Sequence, residues 1–150
     1  MVYFQMVPRI VYRAFAAMLG VHPQEHLCQI VTTVTVPAMN EVESWEDFDA
    51  FIPHGLAGVT AVSAPAIDAE SGPIYFSEST LPSWDLEEPT IDGGVLWVNV
   101  VPPEDGAIRL TADSDDASYD FEKIDVTCKP GRFINASPPY GINSYDLGGG

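Results

Sequence analysis

An all-β fold, a Greek-key-like β-sandwich of about seven strands with a short N-terminal helix, is what this sequence predicts. Three observations lead there. Short, β-branched apolar runs recur along the chain between Gly- and Pro-rich turns: CQIVTTVTV, VTAVSA, IYFS, VLWVNVV, AIRLTA, KIDVTC and RFINA. No βαβ alternation is visible, so a parallel α/β sheet is not expected. The chain has 150 residues, 46% of them apolar. That suits one domain burying roughly 68–70% of its unfolded surface without help from a metal.

The helix comes first. Ile10, Val11, Ala14, Phe15 and Met18 recur at helical spacing within residues 8–19. Pro8 suits a first helical turn, and Gly20 a C-terminal stop. Residues 1–27 are therefore expected to be a helical extension packed on one end of the domain. As a signal peptide the stretch is unclear, because Arg9 and Arg13 interrupt it and leave only AFAAMLGV. It is also too short to span a membrane. With no clear leader ahead of the helix, the reading stays open to Met1 lying inside a longer gene product.

HPQEHL (22–27) reads as a loop. His22 and His26 are four apart, but Pro23 lies between them, no third ligand accompanies them, and the pattern is not HExxH. The sandwich is expected over 28–142. Its first strand is 28–37, rich in β-branched residues that fit a pleated surface. EVESWEDFDAFI (41–52) predicts a short helix with Trp45, Phe48 and Phe51 or Ile52 on one face. Gly55 and Gly58 lead into a strand at 59–64, SGP (71–73) is a turn, 74–77 is a strand, and 81–90 is a proline-bounded loop.

VLWVNVV, PPEDG and AIRLTA (95–112) then read as a hairpin. The strand period of two sends Val95, Trp97 and Asn99 one way, and Leu96, Val98 and Val100 the other. Trp97 is expected either in a buried layer or as an exposed platform. Pro102 and Pro103 lack ladder donors and must end the strand, and Gly106 permits the positive φ of a turn. DSDDAS (113–118) is an acidic loop, 123–128 and 132–136 are strands, and Asn143–Gly150 is expected to be a flexible tail.

Six basic residues stand against 22 acidic ones, a formal net charge of −16. Phosphate binding needs clustered Lys and Arg. Here Arg9, Arg13, Arg109, Lys123, Lys129 and Arg132 are scattered, so neither nucleic acid nor an anionic membrane is expected as a partner. The acidity reads as solubility with self-repulsion, or as a sign of a cation-rich setting. The two cysteines, Cys28 and Cys128, have neither CxxC nor zinc spacing. They are either a disulfide, which would imply an oxidising compartment, or two buried thiols.

The order glycine, apolar strand with Asn, Pro-Pro, Gly and apolar strand resembles the carboxypeptidase regulatory-like (transthyretin-like) domains. The matching residues are Gly94, Leu96, Val98, Asn99, Val100, Pro102, Pro103, Gly106, Leu110 and Ala112. Upstream, GLAGVTAVSA (55–64) resembles that family's second strand, and Gln29–Val36 its first. The likeness covers residues 28–136 and extends to domains of large secreted bacterial proteins. There are departures. Val101 and Glu104–Asp105 lengthen the turn, Ala107 and Ile108 replace the usual Tyr, and Cys28 stands where the family often has Gly. The resemblance implies a β-sandwich serving as a folding aid, spacer or adhesion module.

No catalytic constellation emerges. His22, His26 and His54 lie in no nucleophile elbow, and no GxSxG occurs. Among the acids no glycosidase-like pair is singled out. Asp113, Asp115 and Asp116 crowd one loop and are a calcium candidate, although the segment lacks the EF-hand glycine and glutamate. Trp45, Trp84 and Trp97 offer core packing or a sugar platform. Asn135-Ala-Ser is formally a glycosylation sequon, with Pro following it. The expectation is a non-catalytic structural or adhesion module of an extracytoplasmic protein, with an unknown protein or glycan as partner. A carbohydrate- or calcium-binding module is the alternative, and a small enzyme with unrecognised residues the third reading.

Overall fold

The computed structural model of the protein describes residues 9–37, 39, 42–44, 46–47, 54–136 and 141–148. Strands make up 40% and helix 8%, so the class is all-β. One helix, α1 (Arg9–Leu19), precedes the strands β1 (Cys28–Thr35), β2 (Thr60–Ala64), β3 (Ile74–Phe76), β4 (Pro82–Ser83) and β5 (Gly94–Val100). Then come β6 (Ala107–Asp113), β7 (Tyr119–Phe121), β8 (Ile124–Thr127), β9 (Phe133–Asn135) and β10 (Ile142–Asp146).

The strands form two sheets. The larger runs β4-β3-β5-β1-β10-β7, with β9 also beside β1, and the smaller runs β2-β6-β8. One edge of β1 pairs antiparallel with β5. Its other edge pairs parallel with two strands in series: Gln29–Val31 with β9 and Val34–Thr35 with β10. The smaller sheet is antiparallel throughout.

Between the sheets lies the main core. Ile30, Val34, Tyr75, Val95, Trp97 and Ile142 from the larger sheet meet Ala61, Ile108, Leu110 and Val126 from the smaller. A second apolar cluster covers the outer face of the larger sheet, where Leu19 of α1 joins Ile74, Phe76, Leu96 and Val98. The last residue of the helix thus reaches this outer face, beside the edge strand β4. The C-terminus of α1 closes as a Schellman turn. Val21 N–H donates to Ala16 O at 3.1 Å, and Gly20 takes φ +68°, a conformation that glycine adopts without a Cβ clash. The Trp84 indole N–H adds a bond to Leu19 O at 3.2 Å.

The expected hairpin at 95–112 is not one. β5 belongs to the larger sheet and β6 to the smaller, so residues 101–106 carry the chain across the sandwich. Two prolines without N–H groups end the β5 ladder, and the chain passes from there to the other sheet. The face assignment also fails at one place. Cys28 stands opposite Val100, but Ile30 stands opposite Trp97, so β5 carries an extra residue. That bulge contains Asn99 at φ +52°, and it moves Val100 onto the same face as Val95 and Trp97.

Three strands lie outside the expected set. β4 falls within the expected loop 81–90, and β7 follows the acidic loop. β10 takes residues 143–146 out of the expected tail and pairs with both β1 and β7. In the stretch 41–52, Ser44 accepts the Asp47 N–H at 3.1 Å, as at a helix start. Trp45, Phe48, Phe51 and Ile52 lie outside the described residues.

Candidate functional site

The densest concentration of long-range bonds lies at the end of the sandwich where β1 begins. Cys28 and Cys128 are joined there, with Cα atoms 5.7 Å apart and 100 residues of sequence between them. Cys28 opens β1 of the larger sheet, and Cys128 directly follows β8 of the smaller. The bond therefore fastens one layer to the other, and both residues are buried. Backbone bonds surround it. Cys128 N–H donates to Gly106 O at 2.7 Å, Gly131 N–H to Leu27 O at 2.9 Å, and Gln29 N–H to Arg132 O at 2.9 Å.

Asn99 organises the same end. Its Oδ1 accepts from Gln24 N–H and from Gln29 Nε2, each at 3.0 Å. Its Nδ2 donates to His22 O at 3.0 Å. Its backbone N–H donates to Gln29 Oε1 at 2.6 Å, and its carbonyl accepts from Ser71 Oγ at 3.1 Å. One Asn in a left-handed conformation, which Asn tolerates better than most residues, thus holds the loop before β1, the turn at Ser71 and β1 itself. Gln29 is the buried partner that sequence reasoning missed. Its only signal was a polar side chain in the otherwise apolar, β-branched start of CQIVTTVTV.

Next to this node is a depression of about 200 Å³, lined by Pro65, Ile67, Asp68, Ser71, Val100 and Ile108 among others. The Ser71 hydroxyl proton is engaged by the Asn99 carbonyl. This arrangement ties the turn at Ser71 to β5.

The aspartates expected to gather around calcium do not converge. Asp113 Oδ1 accepts the Ser114 N–H at 3.0 Å. Asp116 Oδ1 accepts the Ser118 N–H at 3.0 Å and its hydroxyl at 2.7 Å, which holds the Asp116 carboxyl below its ordinary range. Asp115 is exposed. Among the described residues, no three His, Cys, Asp or Glu side chains form a group that would hold a metal. His22 and His26 are exposed on the loop before β1.

Elsewhere, Asp92 is half-buried and accepts the Gly94 N–H at 3.1 Å. Burial pushes its carboxyl above the ordinary range, while that bond and the nearby His54 pull it the other way. Trp97 is 1% exposed and so belongs to the core, while Trp84 is 42% exposed with its indole N–H committed to α1. Trp45 lies outside the described residues.

One backbone donor on the outer edge of β2 is occupied. Ala61 N–H, which faces away from β6, donates to the Tyr75 hydroxyl at 3.1 Å. A phenol from the opposite sheet thereby occupies a donor that would otherwise invite another strand. Burial raises the pKa of that phenol. Among the described residues no helix is long and apolar enough to cross a membrane. No protein-family model, curated protein or solved structure matches the chain.

Proposed function

We propose that the chain is a non-catalytic structural or adhesion module of an extracytoplasmic protein, of the carboxypeptidase regulatory-like kind that its β5–β6 segment resembles. The observation that carries this reading is the Cys28–Cys128 bond between the two layers. Disulfides form and persist in oxidising compartments. A bond that closes so long a loop restricts the unfolded chain strongly, by up to about 4.7 kcal/mol in the chain-entropy model. The polar groups around Asn99 are bonded to one another, as suits a part whose product is rigidity.

Two measurements on cells that make the protein test the reading together. The first is intact mass after acid quenching and denaturing alkylation without reductant. No adduct is expected, and two adducts would overturn the proposal. The second is an amine reagent that does not cross membranes, aimed at the exposed Lys123 and Lys129. Labelling in unbroken cells is expected, whereas labelling only after lysis would place the protein inside and end the extracytoplasmic reading.

A further inference from the structure

Resting on that structural reading, we infer that the domain is a load-bearing link, with a shear seam that resists tension and a covalent stop that limits extension. The seam is the pairing of β1, early in the chain, with β9 and β10, late in it. Both pairings are parallel. Tension that enters ahead of Cys28 and leaves after Asp146 pulls β1 and β10 in opposite directions along their length. The bonds between the strands then lie across the pull and share it. In an antiparallel hairpin pulled from its open end, the bonds break one after another.

Side chains strengthen this seam. Thr35 Oγ1 bonds Ile142 O at 3.3 Å and Asn143 Oδ1 at 3.1 Å, and Ser144 Oγ donates to Thr35 O. Thr32 Oγ1 donates to Ala136 O at 3.2 Å. The buried polar side chains among the described residues are Gln29, Thr32, Thr35, Ser71 and Ser144. All but Ser71 lie in β1 or β10. Burying hydroxyls is unfavourable unless they are bonded, and here they are spent on the strands that tension would slide apart.

The disulfide sets the limit. Cys28 is the first residue of β1, and Cys128 stands just ahead of β9. Once the seam slips, the covalent route runs from Cys28 through the sulfurs to Cys128 and onward. Only residues 129–146 are then drawn out, roughly 6 nm of stretched chain, against roughly 40 nm for residues 28–146 without the bond. α1 lies ahead of the clamp and detaches first, at low force.

Single-molecule pulling of the full chain by its two ends tests this. The expected result is one high-force step releasing roughly 6 nm, which lengthens to roughly 40 nm when the disulfide is reduced. The control attaches the handles at positions 60 and 113, which face each other across the β2–β6 ladder. That geometry unzips, and it is expected to yield at several-fold lower force. Thr35→Val with Ser144→Ala is expected to lower the end-to-end force and leave the released length unchanged. End-to-end forces no higher than those of the unzipping geometry would overturn the inference. So would a released length that ignores the disulfide. Either failure leaves the module reading intact, because that reading stands or falls on thiol state and compartment.

Discussion

β5 and β6 are neighbours in sequence and carry similar apolar runs, yet they live in different surroundings. In β5 every residue but Asn99 is buried, whereas β6 alternates between exposed and buried along its length. The difference lies in what covers each sheet. The larger sheet packs on its inner face against the smaller sheet, and on its outer face it carries a second apolar cluster that Leu19 of α1 joins. The smaller sheet turns one face to solvent, where Arg109 pairs with Asp125 at 2.8 Å. One glycine-flanked apolar run thus became a strand buried on both faces, and the next became a surface strand.

Substitutions should separate the two strands in order of size. Trp97→Ala, at the heart of the inner layer, is expected to cost about 3–5 kcal/mol in equilibrium denaturation. Leu96→Ala, in the outer apolar cluster, is expected to cost about 2–5 kcal/mol. Arg109→Ala, at an outward position of β6, should stay within about 0.5 kcal/mol, because it breaks only an exposed pair. A Leu96→Ala cost as small as that of Arg109→Ala would show that the outer cluster adds nothing to stability. Between these falls Asn99→Gly. It keeps the left-handed backbone but loses the side-chain bonds to Gln24, Gln29 and His22, at an expected cost of about 1–3 kcal/mol.

Much of this contrast was legible in the sequence. The runs that became β1, β2, β3, β5, β6, β8 and β9 stand out because β-branched residues are bracketed by Gly and Pro. α1 stands out through its spacing and through Gly20. What stayed hidden depended on partners far along the chain. β10 reads INSYD, polar and poor in β-formers, and is a strand because β1 and β7 flank it. β4 is two residues long and contains Pro82, which only an edge strand tolerates. The PPEDG turn has a hairpin's length, and nothing local says whether the chain returns in its own sheet or crosses to the other. Nor does alternation reveal a bulge, so Val100 was assigned to the wrong face. At the site, the cysteines could be named but not joined. The Gln29–Asn99 pair was invisible because its members lie 70 residues apart.

Two smaller effects follow from charge. Asp92 retains its proton in the fold to a higher pH than in the unfolded chain, chiefly because it is buried. Its contribution to stability is therefore greatest below the unfolded pKa and is lost as pH rises through the raised folded value. Asp92→Asn keeps an acceptor for Gly94 N–H, so denaturation across the acid range should show a flatter pH dependence and no loss of stability at neutral pH. The smallest effect is that of salt. With a net charge of −16, self-repulsion opposes the compact state and is screened as ionic strength rises. The melting temperature should climb between low and physiological salt and level off above it.

The parallel partners of β1 also order events in time. Within this domain β1 leaves the ribosome well before β9 and β10, the strands that complete its far edge. The larger sheet cannot close during synthesis of residues 28–132, however long that takes. Pairings so distant in sequence are slow to form, and until they do the polar side chains of Thr32 and Thr35 remain hydrated. A domain built this way is held open until its last strands have been made, and Cys28 waits for Cys128 through most of that interval.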